Sequence, residues 1–191
     1  MPSAIVRVTE VVDLDGVRQV RAARAGDAHA FELLAGTVLP SAYRLSAAIL
    51  GSQVDAADAT QNALIAAWRE LPNLRNDGAF EPWFRRILVN ECRMQLRRRS
   101  RSRELPNAEE AAAVVPDIAS AAALARIEAL DSLEGAFEQL EADDRVVVAL
   151  HYLLDRPIAE IADVLHMPNG TVKWRLHRAR EVLHRALENQ S

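Results

Sequence analysis

The clearest hydrophobic pattern lies in residues 157–186, towards the end of the chain. Its first half carries apolar residues at the i, i+3, i+4, i+7 spacing of one helical face, at Ile158, Ile161, Ala162 and Leu165. The next five residues, HMPNG at 166–170, break this period with a proline and a glycine and therefore predict a turn. A second helix is predicted to begin near Thr171, because a threonine hydroxyl is well suited to cap a helix N-terminus.

The predicted second helix has one apolar side and one mostly basic side. Its apolar line consists of Val172, Leu176, Ala179 and Leu183, and the residues left facing out are Lys173, Trp174, His177, Arg178 and Glu181. A helix–turn–helix with a basic second helix has the geometry for reading the DNA major groove, where Lys and Arg pair with guanine and an aromatic ring contacts a thymine methyl. The stretch alone leaves a second interpretation open, in which both helices belong to an ordinary bundle and the basic residues are a solvated face.

A long helix is predicted to open at Glu81 and Pro82, since proline is tolerated in the first turn. One broad face is apolar and consists of Phe84, Ile87, Leu88, Cys92 and Met94. The other side carries a stripe of Arg86, Asn90, Arg93 and Arg97 within an arc of roughly 60°, with Trp83 at the border. Arginines beside an exposed aromatic suit a phosphate backbone and an unstacked base. The alternative is the solvated face of a basic helix.

Two helices are predicted in the first part of the chain. One covers 17–34 and breaks at the Gly-Asp pair 26–27. The next covers 38–50, with Tyr43 in the core and Gly51 in the C-cap position.

A third helix follows, with Asp55 as its predicted N-cap. Its buried line consists of Leu64, Trp68 and Leu71, and a neighbouring face carries Asp58, Gln61, Asn62 and Ile65. From the residues alone, that polar face is explained by capping and solvation.

Residues 71–81 are predicted to form a loop. Further on, three consecutive valines at 146–148 have strand propensity, but the preceding acids and the spacing of Val146, Leu150 and Leu153 favour a helix.

The composition favours an all-α protein without a catalytic centre. Half of the 191 residues are hydrophobic but only 5% are aromatic, and the single cysteine excludes a disulfide framework and fits a reducing cytosol. No apolar run of membrane-spanning length and no signal peptide are recognised, so we expect a cytoplasmic protein without membrane insertion. The sequence has no Gly-rich phosphate loop, metal cluster or nucleophile–base constellation, so an enzyme is the least favoured class and no cofactor is expected.

The charges are distributed unevenly along the chain. The net charge is −4, yet residues 85–103 contain eight arginines and one glutamate, and residues 173–185 contain five basic residues and one glutamate. Two concentrated basic surfaces on an acidic body predict two places that contact phosphates. Between them, residues 104–119 are acidic, contain two prolines and show no sustained period, which is typical of a linker.

The predicted organisation is therefore two small helical domains joined by a flexible acidic linker. The boundaries are an N-terminal tail at 1–17, a first domain at 18–103, the linker at 104–120 and a second domain with the helix–turn–helix at 121–191.

Three segments in this order resemble the sigma factors of bacterial RNA polymerase, in the extracytoplasmic-function (ECF) group. DAADATQNALIAAWREL is similar to the polymerase-binding helix of sigma region two, and RNDGAFEPWFRRILVNECRMQLRRR to the part that melts and reads the minus-ten element. IAEIADVLHMPNGTVKWRLHRARE is similar to the helix–turn–helix of region four, which reads the minus-thirty-five element. The resemblance covers 18–187 and implies that the two predicted domains are sigma regions two and four.

The resemblance also assigns roles to single residues. The set expected to contact the clamp helices of the largest polymerase subunit is Asp58, Gln61, Asn62, Leu64 and Ile65, where Asn62 replaces an acid that is usual in the family. Capture of a flipped minus-ten base is assigned to Asn90 with Arg75, Asn76, Asp77, Gly78 and Ala79, and minus-ten DNA contacts also to Trp83, Arg86, Arg93 and Arg97. Minus-thirty-five contacts are assigned to Thr171, Lys173, Trp174, Arg175, His177 and Arg178. Trp174 stands where the family often has a small residue.

The function implied by the resemblance is promoter-directed transcription initiation. The partners are core RNA polymerase, through its clamp helices and flap, promoter DNA, and an anti-sigma factor. Two other classes remain: a regulator that acts alone at an operator, usually as a dimer, and a purely structural helical protein. The arginine stripe in a separate domain counts against the first, and the two concentrated basic surfaces count against the second.

Overall fold

A computed structural model describes residues 14–103 and 135–188, and these residues form helices and turns without a strand, so the all-α prediction is confirmed for them. The predicted tail, the linker at 104–120 and the start of the second domain at 121 lie outside the described residues, apart from positions 14–17. The α-helices are α1 (Leu14–Arg24), α2 (Ala28–Leu50), α3 (Gln53–Glu70), α4 (Phe80–Arg103), α5 (Ala142–Val148), α6 (Ile158–Leu165) and α7 (Asn169–Glu188).

The break at 26–27 is confirmed, but the predicted break between residues 34 and 38 is wrong. Asp27 caps α2, because its Oδ1 accepts hydrogen bonds from the backbone N–H groups of His29 (3.0 Å) and Ala30 (3.1 Å). From there α2 runs unbroken through Pro40 to Leu50. Proline removes one backbone hydrogen bond. The helix continues because Pro40 faces solvent and the buried face of α2 extends on both sides of it. That face consists of Ala30, Leu34, Val38, Ala42, Leu45 and Ile49.

Helix α2 is the one described helix whose length and apolar composition would suffice to cross a bilayer. In this structure its apolar line packs against α1, α3 and α4 in the helical core. The core helix of a folded domain meets the same two criteria, so this feature does not indicate a membrane span.

The corner between α2 and α3 is fixed by a glycine, a serine and an arginine. Gly51 ends α2 in the left-handed conformation, with φ of 62°. Ser52, rather than the predicted Asp55, is the N-cap of α3, since its hydroxyl accepts from the backbone N–H of Asp55 at 3.3 Å. Asp55 instead pairs with Arg99 of α4, whose Nη1 also donates to the carbonyl of Leu50 at 2.8 Å. Arg99 thereby ties the end of α4 to this corner.

Three large side chains that were predicted to be buried are exposed. Met94 is 41% exposed, because 100° per residue places it beside Asn90 rather than beside Leu88. Tyr43 lies on the outer side of α2, and Trp68 covers Phe31 at the surface with ring centroids 4.9 Å apart. The buried face of α4 is formed by Phe84, Leu88, Val89, Cys92 and Leu96.

The second described part begins with a short helical stretch at 135–138, followed by α5, α6 and α7. The three valines at 146–148 are buried in α5, so the preference for a helix is confirmed, and the chain continues as a π-helical turn at Ala149–Leu153. His166 ends α6 with φ of 53°, and α7 begins at Asn169. Thr171 is therefore not the N-cap, since its backbone N–H already donates to the carbonyl of Pro168 at 2.9 Å.

The two described parts pack against each other along α4. Their buried side chains form one continuous core. Leu154, which precedes α6, sits in a small cavity between α2 and α4 with Val38, Leu45, Phe84 and Leu88. Helix α4 therefore has one face in its own domain and another against the C-terminal helices.

We expect Gly51→Ala to lower the free energy of unfolding by about 1 kcal/mol, because any Cβ is strained in the left-handed conformation. The control is Gly36→Ala, in the exposed middle of α2, where an added Cβ meets nothing within 4 Å. This control is expected to raise the free energy by about 0.5–1 kcal/mol, as alanine favours helix. Urea unfolding followed by circular dichroism measures both. Changes of the same sign would contradict the prediction.

Candidate nucleic-acid interface

The predicted stripe on α4 lies at the surface, with one exception. Arg86, Asn90 and Arg97 are exposed along the helix. The side chain of Arg93 is only 18% exposed, because its Nε lies 2.8 Å from Oδ1 of Asp143 in α5. Three of the four stripe residues are thus free to meet a phosphate or a base, and the fourth is occupied by an acid from the other domain.

The loop before α4 is held in place by its own polar residues. The side chain of Asn76 accepts a hydrogen bond from the backbone N–H of Gly78 at 3.0 Å and so caps a 3₁₀ turn at Asp77–Ala79. Asp77 accepts from Arg21 at 2.8 Å and from Arg24 at 2.6 Å, and these hydrogen bonds hold the pKa of its carboxyl below its usual value. Asp77 is therefore an anchor between α1 and the loop.

The exposed members of that loop continue the surface of the stripe. Arg75, Asn76 and Gly78 are exposed, and Ala79 is half-buried. Trp83 is half-buried, with its ring centroid 6.0 Å from that of Phe80. A base extruded towards α4 would find Trp83 and Asn90 on the same side of the helix, about two turns apart.

The residues predicted to contact polymerase lie on the outer side of α3. Asp58, Gln61, Asn62 and Ile65 are exposed, whereas Leu64 is half-buried and packs on the core. Asp58, Gln61 and Asn62 line one wall of an open groove, and the opposite wall comes from α4, with Glu91, Met94, Gln95 and Arg98. The contribution of α4 was missed in the sequence, since Met94 had been assigned to the core.

Three of the six residues predicted to contact DNA from the recognition helix, α7, are exposed. These are Lys173, Trp174 and His177, while Thr171 is half-buried. Arg175 and Arg178 are only partly exposed, because acids at the start of α5 bind both of them. Three polar side chains on a basic helix remain in a position to reach base edges in a major groove.

The acids that hold these two arginines are Glu141, Asp143 and Asp144. Asp144 is 1% exposed and accepts from Nη1 of Arg175 (2.7 Å) and from Nε of Arg178 (2.8 Å). Asp143 accepts from Nη2 of Arg175 at 3.1 Å. Glu141 lies 2.5 Å from Nη2 of Arg178. A fully buried carboxylate needs such partners, so α5 and α7 are fixed relative to each other by charge as well as by apolar packing.

The paired Arg178 also contacts Trp174. The hydrogen bond from Arg178 lowers the pKa of Glu141, and the same contact, with a second from Asp144, raises the pKa of Arg178. The guanidinium group held in this way lies 4.8 Å from the centroid of the Trp174 ring, within cation–π distance. Trp174 is therefore 53% exposed to solvent while one part of its ring packs on the Arg178 guanidinium.

Two further observations concern reactive groups. Cys92 is buried and donates to the Ser46 hydroxyl at 3.5 Å, and burial raises the pKa of its thiol to about 11. A thiol in this state is protonated near neutral pH and inert. Within 14–103 and 135–188, no group of three or more His, Cys, Asp or Glu side chains is placed to hold a metal ion.

Comparison with known proteins gives two family matches in chain order. The family described as Sigma-70 region 2 matches residues 34–102, and Sigma-70, region 4 matches residues 130–183. The RNA polymerase sigma-H factor of Pseudomonas aeruginosa is 31% identical over 179 residues, covering 88% of this chain and 92% of that protein. The ECF RNA polymerase sigma factor SigM of Mycobacterium tuberculosis is 32% identical, covering 85% of this chain and 80% of the relative.

Solved structures with the same fold include a sigma factor bound to another protein. The sigma factor RpoE of Bartonella quintana, in complex with the anti-sigma factor NepR, has a TM-score of 0.64 and 24% identity, covering 83% of this chain and 96% of that chain. This likeness establishes the fold.

We expect Asp144→Asn to lower the free energy of unfolding by about 2–3 kcal/mol. The substitution keeps the side-chain size but weakens the charged hydrogen bonds of two partly buried arginines, while Glu141 and Asp143 remain as partners. Urea unfolding measures the loss. Asp163→Asn, which removes the same charge from an exposed position on α6, is the control and should change stability by less than about 0.5 kcal/mol. Equal losses in the two variants would contradict the structural role of Asp144.

Proposed function

This chain belongs to the ECF sigma factors of bacterial RNA polymerase, and we propose that α4 with its preceding loop contacts the minus-ten element while α7 contacts the minus-thirty-five element. The protein is a promoter-specificity factor: it binds core polymerase and directs it to promoters for transcription initiation. The assignment of one helix to each promoter element is supported by one observation. Both α4 and α7 have an exposed polar face, and they lie in the segments that match regions two and four.

At the minus-ten element, we assign base capture to Asn90, Trp83 and the exposed loop residues. Asn90 offers both a donor and an acceptor for a base edge, and Trp83 offers a ring on which a base can stack. Arg86 and Arg97 are exposed on the same side of α4 and are assigned to the phosphate backbone. Binding of this kind offsets the few kcal/mol lost when a base leaves the stack, so no catalytic residue is required.

At the minus-thirty-five element, we assign base contacts to Lys173, Trp174 and His177. A lysine at the start of a recognition helix suits guanine, and the Trp174 ring suits a thymine methyl. Arg178 would act mainly by holding Trp174, since its guanidinium is already bound by two acids. Arg175 is engaged in the same way and reaches DNA only by leaving those acids.

The groove between α3 and α4 is assigned to the clamp helices of the largest polymerase subunit. Its walls combine Asp58, Gln61 and Asn62 with apolar and charged residues of α4. Ile65, 42% exposed next to this groove, would add apolar contact area. The C-terminal helices are assigned to the polymerase flap. We further propose a cytoplasmic, non-catalytic protein that works without a cofactor.

An anti-sigma factor is proposed as a third partner. Support comes from the matching fold of RpoE, whose structure was solved with the anti-sigma factor NepR. Pull-down from cells with the tagged chain, followed by mass spectrometry, would identify such a partner. Recovery of core polymerase alone, both in growing and in stressed cells, would contradict this assignment.

Run-off transcription with purified bacterial core polymerase tests the proposed function directly. On a library of promoter fragments, specific transcripts are expected only when this chain is present. The start sites then locate both promoter elements. Sequence-specific DNA binding by the chain alone, without such transcripts, would favour the stand-alone regulator instead.

We expect Trp174→Ala to change the preference at one minus-thirty-five base pair. Loss of the ring contact should reduce discrimination there by about 1–2 kcal/mol, or roughly five- to thirtyfold in transcript yield. Run-off yields on fragments that carry each base pair in turn provide the measurement. Arg185→Ala is the control, at an exposed position three turns further along the same side of α7 that is assigned no base contact; any change in yield should be the same for every base pair. A uniform loss for Trp174→Ala would mean that Trp174 does not read sequence.

A further inference from the structure

The outer side of α2 is apolar although it faces solvent. Leu33, Leu39 and Tyr43 are 46%, 44% and 37% exposed. Gly36 and Pro40 lie between them along the helix and are also exposed. The opposite side of α2 packs against α1, α3 and α4. These exposed residues belong to none of the sets that are assigned to DNA or to polymerase. An exposed apolar patch with a polar border is typical of a protein–protein contact, so we expect this side of α2 to have a partner of its own.

Six exposed residues of α2 are arranged symmetrically about Val38, which is buried on the opposite side of the helix. At 100° per residue, the four apolar ones fall within an arc of roughly 80°, and the two charged ones lie at its edges. We call these six residues the outer face of α2. In order across the arc they are Glu32, Tyr43, Gly36, Pro40, Leu33 and Arg44.

Each residue of the outer face has a counterpart at the same distance from Val38 in the other direction along the helix. The counterparts are Leu33 and Tyr43, Gly36 and Pro40, and Glu32 and Arg44. In an antiparallel pair of α2 helices related by a twofold axis, counterparts from the two copies lie at the same height. Apolar residues then meet apolar residues, and opposite charges meet at both ends. A parallel pair would place like charges side by side instead.

The two charges of the outer face lack a strong partner within their own chain. Among the described residues, Arg44 makes no ion pair, and Glu32 approaches only the exposed side chain of His29, at 3.6 Å. Glu32 and Arg44 are twelve positions apart, about 18 Å along α2, so they are too distant to pair with each other. A second, antiparallel copy offers each of them a partner of opposite charge.

We propose that the outer face of α2 binds the same face of a second copy of this chain, in an antiparallel dimer. Gly36, which has no side chain, and the compact ring of Pro40 lie at its centre and allow the two helices to approach closely. The contact is one helix wide, so its buried area falls among the small, transient interfaces, below about 1,200 Å² in total. We therefore expect a Kd on the order of 10–100 µM.

Charge reversal tests the pairing of Glu32 with Arg44. Glu32→Arg alone sets like charges against each other at both ends of the dimer, as does Arg44→Glu alone, so each should raise the Kd roughly tenfold. The double variant Glu32→Arg/Arg44→Glu exchanges the charges and should return the Kd to within about twofold of wild type. Sedimentation equilibrium of the full chain over a range of concentrations measures these constants. Asp163→Arg, the same change of net charge as Glu32→Arg at an exposed position on α6, is the control and should leave the Kd within about twofold.

Removal of one aromatic ring tests the apolar part of the contact. Tyr43→Ala should raise the Kd at least about tenfold, because the ring lies at the height of Leu33 of the other copy at two places in the dimer. Val54→Ala removes an apolar side chain that is 70% exposed at the start of α3, and it should leave the Kd within about twofold. Circular dichroism checks that each variant keeps its helix content.

Cross-linking between two kinds of chain tests the orientation. Glu32→Cys chains and Arg44→Cys chains are mixed and treated with a short bis-maleimide, and the linked peptides are identified by mass spectrometry. Cys92 does not interfere, because it is buried and the pKa of its thiol is about 11. In the antiparallel dimer, positions 32 and 44 lie at the same height, whereas the two copies of position 32 are about 18 Å apart along the helices. Cross-links should therefore join the two kinds of chain to each other.

The proposal is overturned if the chain stays monomeric up to about 200 µM, well above the expected Kd. It is also overturned if the single reversals leave the Kd unchanged, or if the double variant dimerises no more tightly than the single variants. Cross-links that join like chains only would exclude the antiparallel arrangement. These measurements need neither core polymerase nor promoter DNA, so their outcome is independent of run-off transcription.

Discussion

The structure depends on one constraint: an arginine that leaves bulk water must find a carboxylate. A guanidinium group cannot give up its charge, so burial without an acidic partner costs several kcal/mol. Arg85, Arg93 and Arg99 of α4 and Arg175 and Arg178 of α7 all meet acids from other parts of the fold. These pairs fix α4 against the α2–α3 corner, α7 against α5, and the C-terminal helices against α4. Apolar packing alone would leave those orientations less well defined.

Helix type and number follow from local periodicity, and so could be predicted for the described residues. The errors occurred where a local signal was given too much weight. A break was predicted between residues 34 and 38, yet the buried side chains of α2 continue through that region, and Pro40 on the outer side removes only one hydrogen bond. Met94 was placed in the core because it is apolar, although its angle on α4 puts it at the surface. In both cases the direction of the side chain mattered more than the residue type.

The pairing of charges could not be predicted, because the partners lie far apart in sequence. The eight arginines at 85–103 have one acid among them, and this count indicated an open basic surface. In the fold, acids from residues 55, 143 and 160 reach that helix from other elements, and Glu81 in its own first turn pairs with Arg85. The only sequence hint was the acidic start of α5, which was attributed to the helix dipole. By contrast, exposure could be predicted from the angular position on a helix alone. It was predicted correctly for Arg86, Asn90, Lys173 and Trp174.

Internal pairing also changes how a basic helix acts at long range. The field that attracts a protein to DNA depends on net charge over distances of about 8–10 Å at physiological salt. An arginine that touches a carboxylate at 3 Å adds little to that field. Once a DNA phosphate displaces the acid, the same arginine can still bind that phosphate directly. Phosphate attraction is independent of sequence and supplies nonspecific binding. Pairing Arg93 and Arg175 with Asp143 therefore weakens nonspecific binding and leaves the exposed readout residues unaffected, which favours selectivity over affinity.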